Sequence, residues 1–143
     1  MMSREVNLIV VHCSATNQHM DIGATEIRKW HVEDNEWSDI GYHNIIRRDG
    51  TLEHGRDLAI PGAHAKGFNK NSIGVCLIGG VDSENNPTNN FTDVQFKTLR
   101  SYLDTMMDIF DAEVKGHRDL PNTNKACPSF NVSEWYDNDS KIR

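Results

Sequence analysis

Glu5-Val6-Asn7-Leu8-Ile9-Val10-Val11-His12 is made almost entirely of β-branched and apolar side chains, the composition of a strand buried on both faces of a sheet. Successive side chains of a strand point to opposite faces. Leu8, Val10 and His12 therefore share one face and Ile9, Val11 and Cys13 the other. On this parity His12 can open into a cleft while Cys13 stays in core.

A second run of the same kind, Ser72 to Gly79 (SIGVCLIG), lies in the middle of the chain. Between the two, Ala24 to about Asp34 reads as a helix with Ile27, Trp30 and His31 on one side. The stretch GYHNIIRRDGTLEHGR that follows holds two strand-like runs around Asp49-Gly50, a signal for a two-residue hairpin. Asp57 to Asn71, with Pro61, Gly62, His64 and Gly67, reads as a long functional loop.

Beyond Asn90, Phe96, Leu99, Leu103, Met106 and Phe110 step by three and four, and Thr92 with Gln95 makes a capping-box signature, so a helix is predicted there. Glu113 to Gly116 reads as a short strand delivering His117, and Asn131 to Tyr136 as a last helix capped by Asn131. Strands and helices alternate without repeats or a linker. That order predicts an α/β fold in one domain over residues 1–143, a central mixed β-sheet flanked by helices.

Composition narrows the function. A chain of 143 residues with 37% hydrophobic and 25% charged residues has the make-up of a soluble globular domain. A formal charge of −6 provides no general attraction to phosphates, so nucleic acid is not an expected partner. No apolar run reaches the length of a membrane span. The N-terminus lacks the pattern of a cleaved export signal, which predicts a cytoplasmic protein. Three cysteines without such a signal argue against a disulfide framework.

His12, His117 and Cys127 each fall near the predicted end of a strand or in an adjoining loop. Two imidazoles and a thiolate suit zinc, and three protein ligands leave a fourth position for water. Spacing alone is a weak signal. His117 and Cys127 are ten residues apart, which fits no short zinc-finger motif, and seven histidines with three cysteines offer many triples by chance.

The segments VHCSAT, GYHNIIRRDGTLEHGRD, AHAKGFNKNSIGVCLIGG, GHRD and KACPSF resemble, in order and over nearly the whole chain, the zinc N-acetylmuramoyl-L-alanine amidases related to peptidoglycan recognition proteins. They are most similar to the small lysozymes of the T-seven group of coliphages. The resemblance implies a zinc cleft at the strand ends, with one zinc ion per chain held by His12, His117 and Cys127, and Tyr42 and Lys125 lining the reaction centre. It implies hydrolysis of the amide between N-acetylmuramic acid and L-alanine of peptidoglycan by a zinc-activated water. Lys125 would stabilise the oxyanion and Tyr42 would position the water. The loop Arg118 to Lys125 reads as slightly longer than in those relatives, and the segment before the first strand as shorter.

Taken alone, Tyr42 is an ordinary half-buried strand residue and Lys125 a solvated loop charge; the motif match gives them roles. His64, within AHAKG, is expected to contact substrate or a zinc-bound water. His43 reads as a packed hairpin residue, Cys13 and Cys76 as small core hydrophobes, and Trp30, Trp37 and Trp135 as core. Two other functions stay open: a non-catalytic peptidoglycan-binding module, disfavoured because such proteins typically lack the cysteine ligand, and an added role as inhibitor of a phage RNA polymerase, known for lysozymes of this type. A monomer is expected, reaching the wall only after the membrane has been permeabilised.

Overall fold

The computed structural model describes residues 4–121 and 126–140. Its centre is a five-stranded sheet in the order β3-β2-β4-β1-β5. β1 (Leu8–Cys13) and β4 (Ser72–Leu77) are buried along their whole length and pair in parallel, with Leu8 opposite Ser72 and Cys13 opposite Leu77. β5 (Glu113–Gly116) adds in parallel on the far side of β1, and β2 (Asn44–Ile46) on the far side of β4. β3 (Leu52–His54) closes the edge antiparallel to β2. The sheet is therefore mixed.

The parity of β1 holds. Ile9, Val11 and Cys13 pack with Ile73, Val75 and Leu77 against one helical layer. That layer is α2 (Asp93–Ile109), which contributes Leu99, Leu103 and Met106, together with α3 (Val132–Ser140), which contributes Val132. On the opposite face Ile45, Cys76 and Ile78 meet α1 (Ala24–Lys29) through Ile27, while Leu8 and Val10 lie under Ala65 and Leu120. His12 follows Leu8 and Val10 onto this second face.

The caps of the two longer helices are as read. Thr92 Oγ1 accepts from the Gln95 amide at 3.2 Å, and Gln95 Oε1 accepts from the Thr92 amide at 2.9 Å. Asn131 Oδ1 accepts from the Glu134 amide at 3.0 Å. Several boundaries differ: β4 ends at Leu77 rather than Gly79, and α3 runs to Ser140 rather than Tyr136. The first ladder begins at Leu8 rather than Glu5. The first helix is α-helical only to Lys29 and continues as a π-turn over Trp30–Asp34, with the Asn35 amide donating to the Trp30 carbonyl five residues back. The hairpin loop has three residues, not two: Arg47 pairs with Thr51, and Gly50 takes φ +88 after a turn closed from its own amide to the Arg47 carbonyl. Asp49-Gly50 serves that geometry as well as a two-residue turn, because both need a left-handed glycine. Among the described residues no helix is long and apolar enough to cross a membrane.

Candidate functional site

β1 and β5 are parallel neighbours, so the residues at their C-terminal ends arrive at the same edge of the sheet. His12 comes from the end of β1, and His117 opens the 3₁₀ turn directly after β5. Their rings lie 4.6 Å apart between centroids. Cys127 is brought to them by the returning loop, which the Arg118 amide holds by donating to the Cys127 carbonyl at 2.7 Å. Asp119 Oδ2 accepts from the Gly116 amide at 3.1 Å and shapes the turn from below. One ligand atom from each of His12, His117 and Cys127 lies within 4.8 Å of the others. Among the described residues this is the group of histidine, cysteine and carboxylate side chains gathered closely enough to hold a metal ion.

The donor set fits a cation. His12 is 1% exposed, while His117 and Cys127 are half-buried. The Cys13 amide donates to Cys127 Sγ at 3.0 Å. The hydrogen-bonding neighbour Cys13 and burial together push the Cys127 thiol well above its ordinary range. A thiol so placed ionises only beside a positive charge, which is what a divalent ion between two imidazoles provides.

Tyr42 precedes β2 and sets its ring 5.0 Å from that of His12. Burial, with Cys76 beside it, pushes its phenol well above 10; it is suited to donating a hydrogen bond or orienting a reactant, not to acting as a base. His31 supports it from the π-turn, with rings 5.6 Å apart and Nδ1 accepting from the Gly41 amide at 2.9 Å. Lys125 lies outside the described residues.

His64, expected to contact substrate or a zinc-bound water, stands between the cleft and His12. The residue is 8% exposed, and its nitrogens turn inward, Nδ1 onto His12 Nε2 at 2.8 Å and Nε2 onto Ser72 Oγ at 3.1 Å. Burial first, then the neighbouring His43 and His117, hold it down to about 3. Its ring edge forms part of the wall of an open cleft of about 370 Å³ beside His117, together with Trp37, Lys66, Phe68 and Leu120. Trp37 thus lines the cleft, 38% exposed, where the sequence reading had placed it in core. Its position after the π-turn, which no helical periodicity reports, is the cause. Ser72 and the backbone amide of Cys13 were also illegible as site groups: one reads as a strand start, the other belongs to a residue whose side chain packs in core.

A family model described as N-acetylmuramoyl-L-alanine amidase matches residues 2–130. The chain belongs to that amidase family. Among its relatives, the endolysin of Klebsiella phage KP32 is 47% identical over 140 residues, covering 97% of this chain and 91% of the relative. The endolysin of Escherichia phage T7 is 47% identical over 135 residues, covering 94% and 87%. Among solved structures, the N-acetylmuramoyl-L-alanine amidase LysC from Clostridium intestinale URNW superposes with a TM-score of 0.81 at 27% identity, over 98% of this chain and 88% of that one. This amidase-family chain therefore carries its histidine and cysteine group on a sheet shared with a known amidase.

Proposed function

We propose that this chain is an endolysin-type amidase that hydrolyses the amide between N-acetylmuramic acid and L-alanine of peptidoglycan, with zinc bound by His12, His117 and Cys127. The convergence of those three side chains, with His117 lining the cleft, carries the reading. Family membership supports the bond that is cut.

Zinc bound there supplies a Lewis acid for the scissile carbonyl and makes water a nucleophile near neutral pH. The chain's own groups do the rest. His12 and His117 would hold the ion as neutral imidazoles and Cys127 as a thiolate, a donor set that would leave the site a net positive charge toward the developing oxyanion. Tyr42, a phenol that stays protonated, orients the reactants from the β2 side. Lys125, whose role rests on the motif match alone, adds a second positive charge to the oxyanion.

Mass spectrometry of digested peptidoglycan tests the bond. Release of stem peptides with an L-alanine N-terminus and intact glycan strands is the expected product pattern; new reducing sugar ends would assign a glycosidase instead. A purified protein with about one zinc per chain, inactive after chelation, is expected from the metal reading. Full activity without metal would refute that part.

A further inference from the structure

Apart from the edge it gives to the cleft, His64 is held by groups that fit its ring. A Cβ built on Gly74 would fall 2.5 Å from His64 Cγ, and one built on Gly62 would fall 2.7 Å from His64 Cδ2. No side chain fits at either position while the imidazole is there, so two glycines on different segments make its seat. The backbone is pinned as well, with Asn69 Oδ1 accepting from the amides of His64 and Ala65, both at 2.9 Å. The ring meets that of His12 edge-on, with centroids 4.9 Å apart and planes at 88°, which aims His64 Nδ1 at His12 Nε2.

We propose that His64 is a positioning residue for the metal group: it accepts a hydrogen bond from His12 Nε2–H and thereby holds His12 in the tautomer and rotation that present Nδ1 to His117 and Cys127. A neutral imidazole carries one N–H, so the nitrogen that donates to His64 leaves the lone pair of the other for a cation. Cys127 Sγ stands 3.0 Å from the amide of Cys13, the residue after His12, and Nδ1 is the ring nitrogen nearer the His12 backbone. Ser72 completes the relay. Its hydroxyl lies 3.1 Å from His64 Nε2; in the proposed tautomer it accepts from Nε2–H and Nδ1 is the accepting nitrogen of His64.

Partners of this kind orient metal-binding histidines and raise their basicity, and carboxylates or carbonyls usually serve. A neutral imidazole in that place sets the tautomer without adding negative charge. With a thiolate already among the ligands, the site thus retains the positive charge that polarises a carbonyl.

This inference rests on the zinc reading above, and the test separates the two. Long-range ¹H–¹⁵N spectra of the metal-free protein are expected to show His12 as the Nε2–H tautomer, and His64→Ala to abolish that preference. In chelator competition, His64→Ala is expected to bind zinc about 10- to 100-fold more weakly than wild type. His64→Asn, which keeps an acceptor near the Nδ1 position but loses the Ser72 bond, is expected to recover most of that affinity. Cobalt-substituted His64→Ala is expected to show an altered ligand-field spectrum. Thermal unfolding of the metal-free variants controls for packing, since a purely structural role would lower both melting temperatures and leave tautomer and cobalt spectrum alone. Wild-type metal affinity and spectrum in a folded His64→Ala, or His12 found as the Nδ1–H tautomer, would overturn the positioning role while leaving the zinc site standing. Failure of wild type to bind zinc would overturn both.

Discussion

At the scale of single residues, binding and chemistry place different demands on one cleft. Cys127→Ser exchanges a thiolate for a hard, protonated hydroxyl, so zinc is expected to be lost and hydrolysis with it. The cleft wall is built from other residues, among them Trp37, Lys66 and Phe68. Peptidoglycan binding by Cys127→Ser, measured by sedimentation with purified walls, is therefore expected to stay within about tenfold of wild type, or about 1.4 kcal/mol. Lys125→Ala is expected to keep zinc and slow turnover by roughly a hundredfold, the usual effect of removing one oxyanion stabiliser. Normal hydrolysis by the serine variant, or zinc loss in the alanine variant, would require a different division of roles.

At the scale of elements, α2 is fastened to the sheet by polar groups as well as apolar ones. Gln95, fully buried, donates through Nε2 to the carbonyls of Ile46 at 3.2 Å and Ile78 at 2.9 Å. It bridges the ends of β2 and β4 while its Oε1 caps its own helix. Tyr102 adds a buried bond from its hydroxyl to Asn44 Oδ1 at 2.8 Å. Gln95→Leu removes the cap partner and one of two donors from each carbonyl, leaving the Ile78 amide on Ile46 O and Arg48 Nη1 on Ile78 O, so a loss of about 1–3 kcal/mol is expected in urea unfolding. Thr92→Ala, which takes away the cap acceptor and the hydroxyl that donates to the Arg48 carbonyl at 2.7 Å, is expected to cost about 1–2 kcal/mol. Equal losses from the two substitutions would show that the Ile78 amide and Arg48 satisfy the strand carbonyls without Gln95.

At the scale of the whole molecule, stability depends on pH through histidines folded in the neutral form. His43 is 1% exposed; its Nδ1 accepts from the Gly74 amide at 3.0 Å and its Nε2 donates to the Ile60 carbonyl at 2.8 Å. Burial first, with Arg4 and Arg56 opposing a positive charge, lowers it to about 4 from 6.5. Between those values the unfolded chain binds the extra proton and the folded chain does not. The contribution of His43 is thus complete above pH 6.5 and is lost as pH falls toward 4, about 3 kcal/mol in all. Zinc-free protein is expected to show a falling urea midpoint from pH 7.5 to 5, with His64 adding to the slope. His43→Gln is expected to start less stable and to flatten the dependence. A midpoint unchanged over that range in wild type would mean that His43 accepts its proton in the folded state.

The elements themselves were legible in the sequence because each carries a local cause. Continuous β-branched and apolar runs placed β1 and β4, a three-and-four step with Thr92 and Gln95 placed α2, and the strand parity at Leu8, Val10 and His12 put the histidine and Cys13 on opposite faces. The proposed ligand set could be named only through the motif match, since ten residues from His117 to Cys127 and a distant His12 form no local pattern. What the tertiary structure alone decided is how those parts meet: parallel pairing of β1 with β5 sets His12 beside His117, and the long loop returns His64 behind His12 onto Ser72 and between Gly62 and Gly74. Partners 52 and 8 residues from His64 in sequence are chosen by packing geometry, because side-chain hydrogen bonds across a fold depend on distances that no periodicity encodes. The same holds for Trp37, turned into the cleft by a π-turn that differs from an α-turn by a single residue in its hydrogen bond.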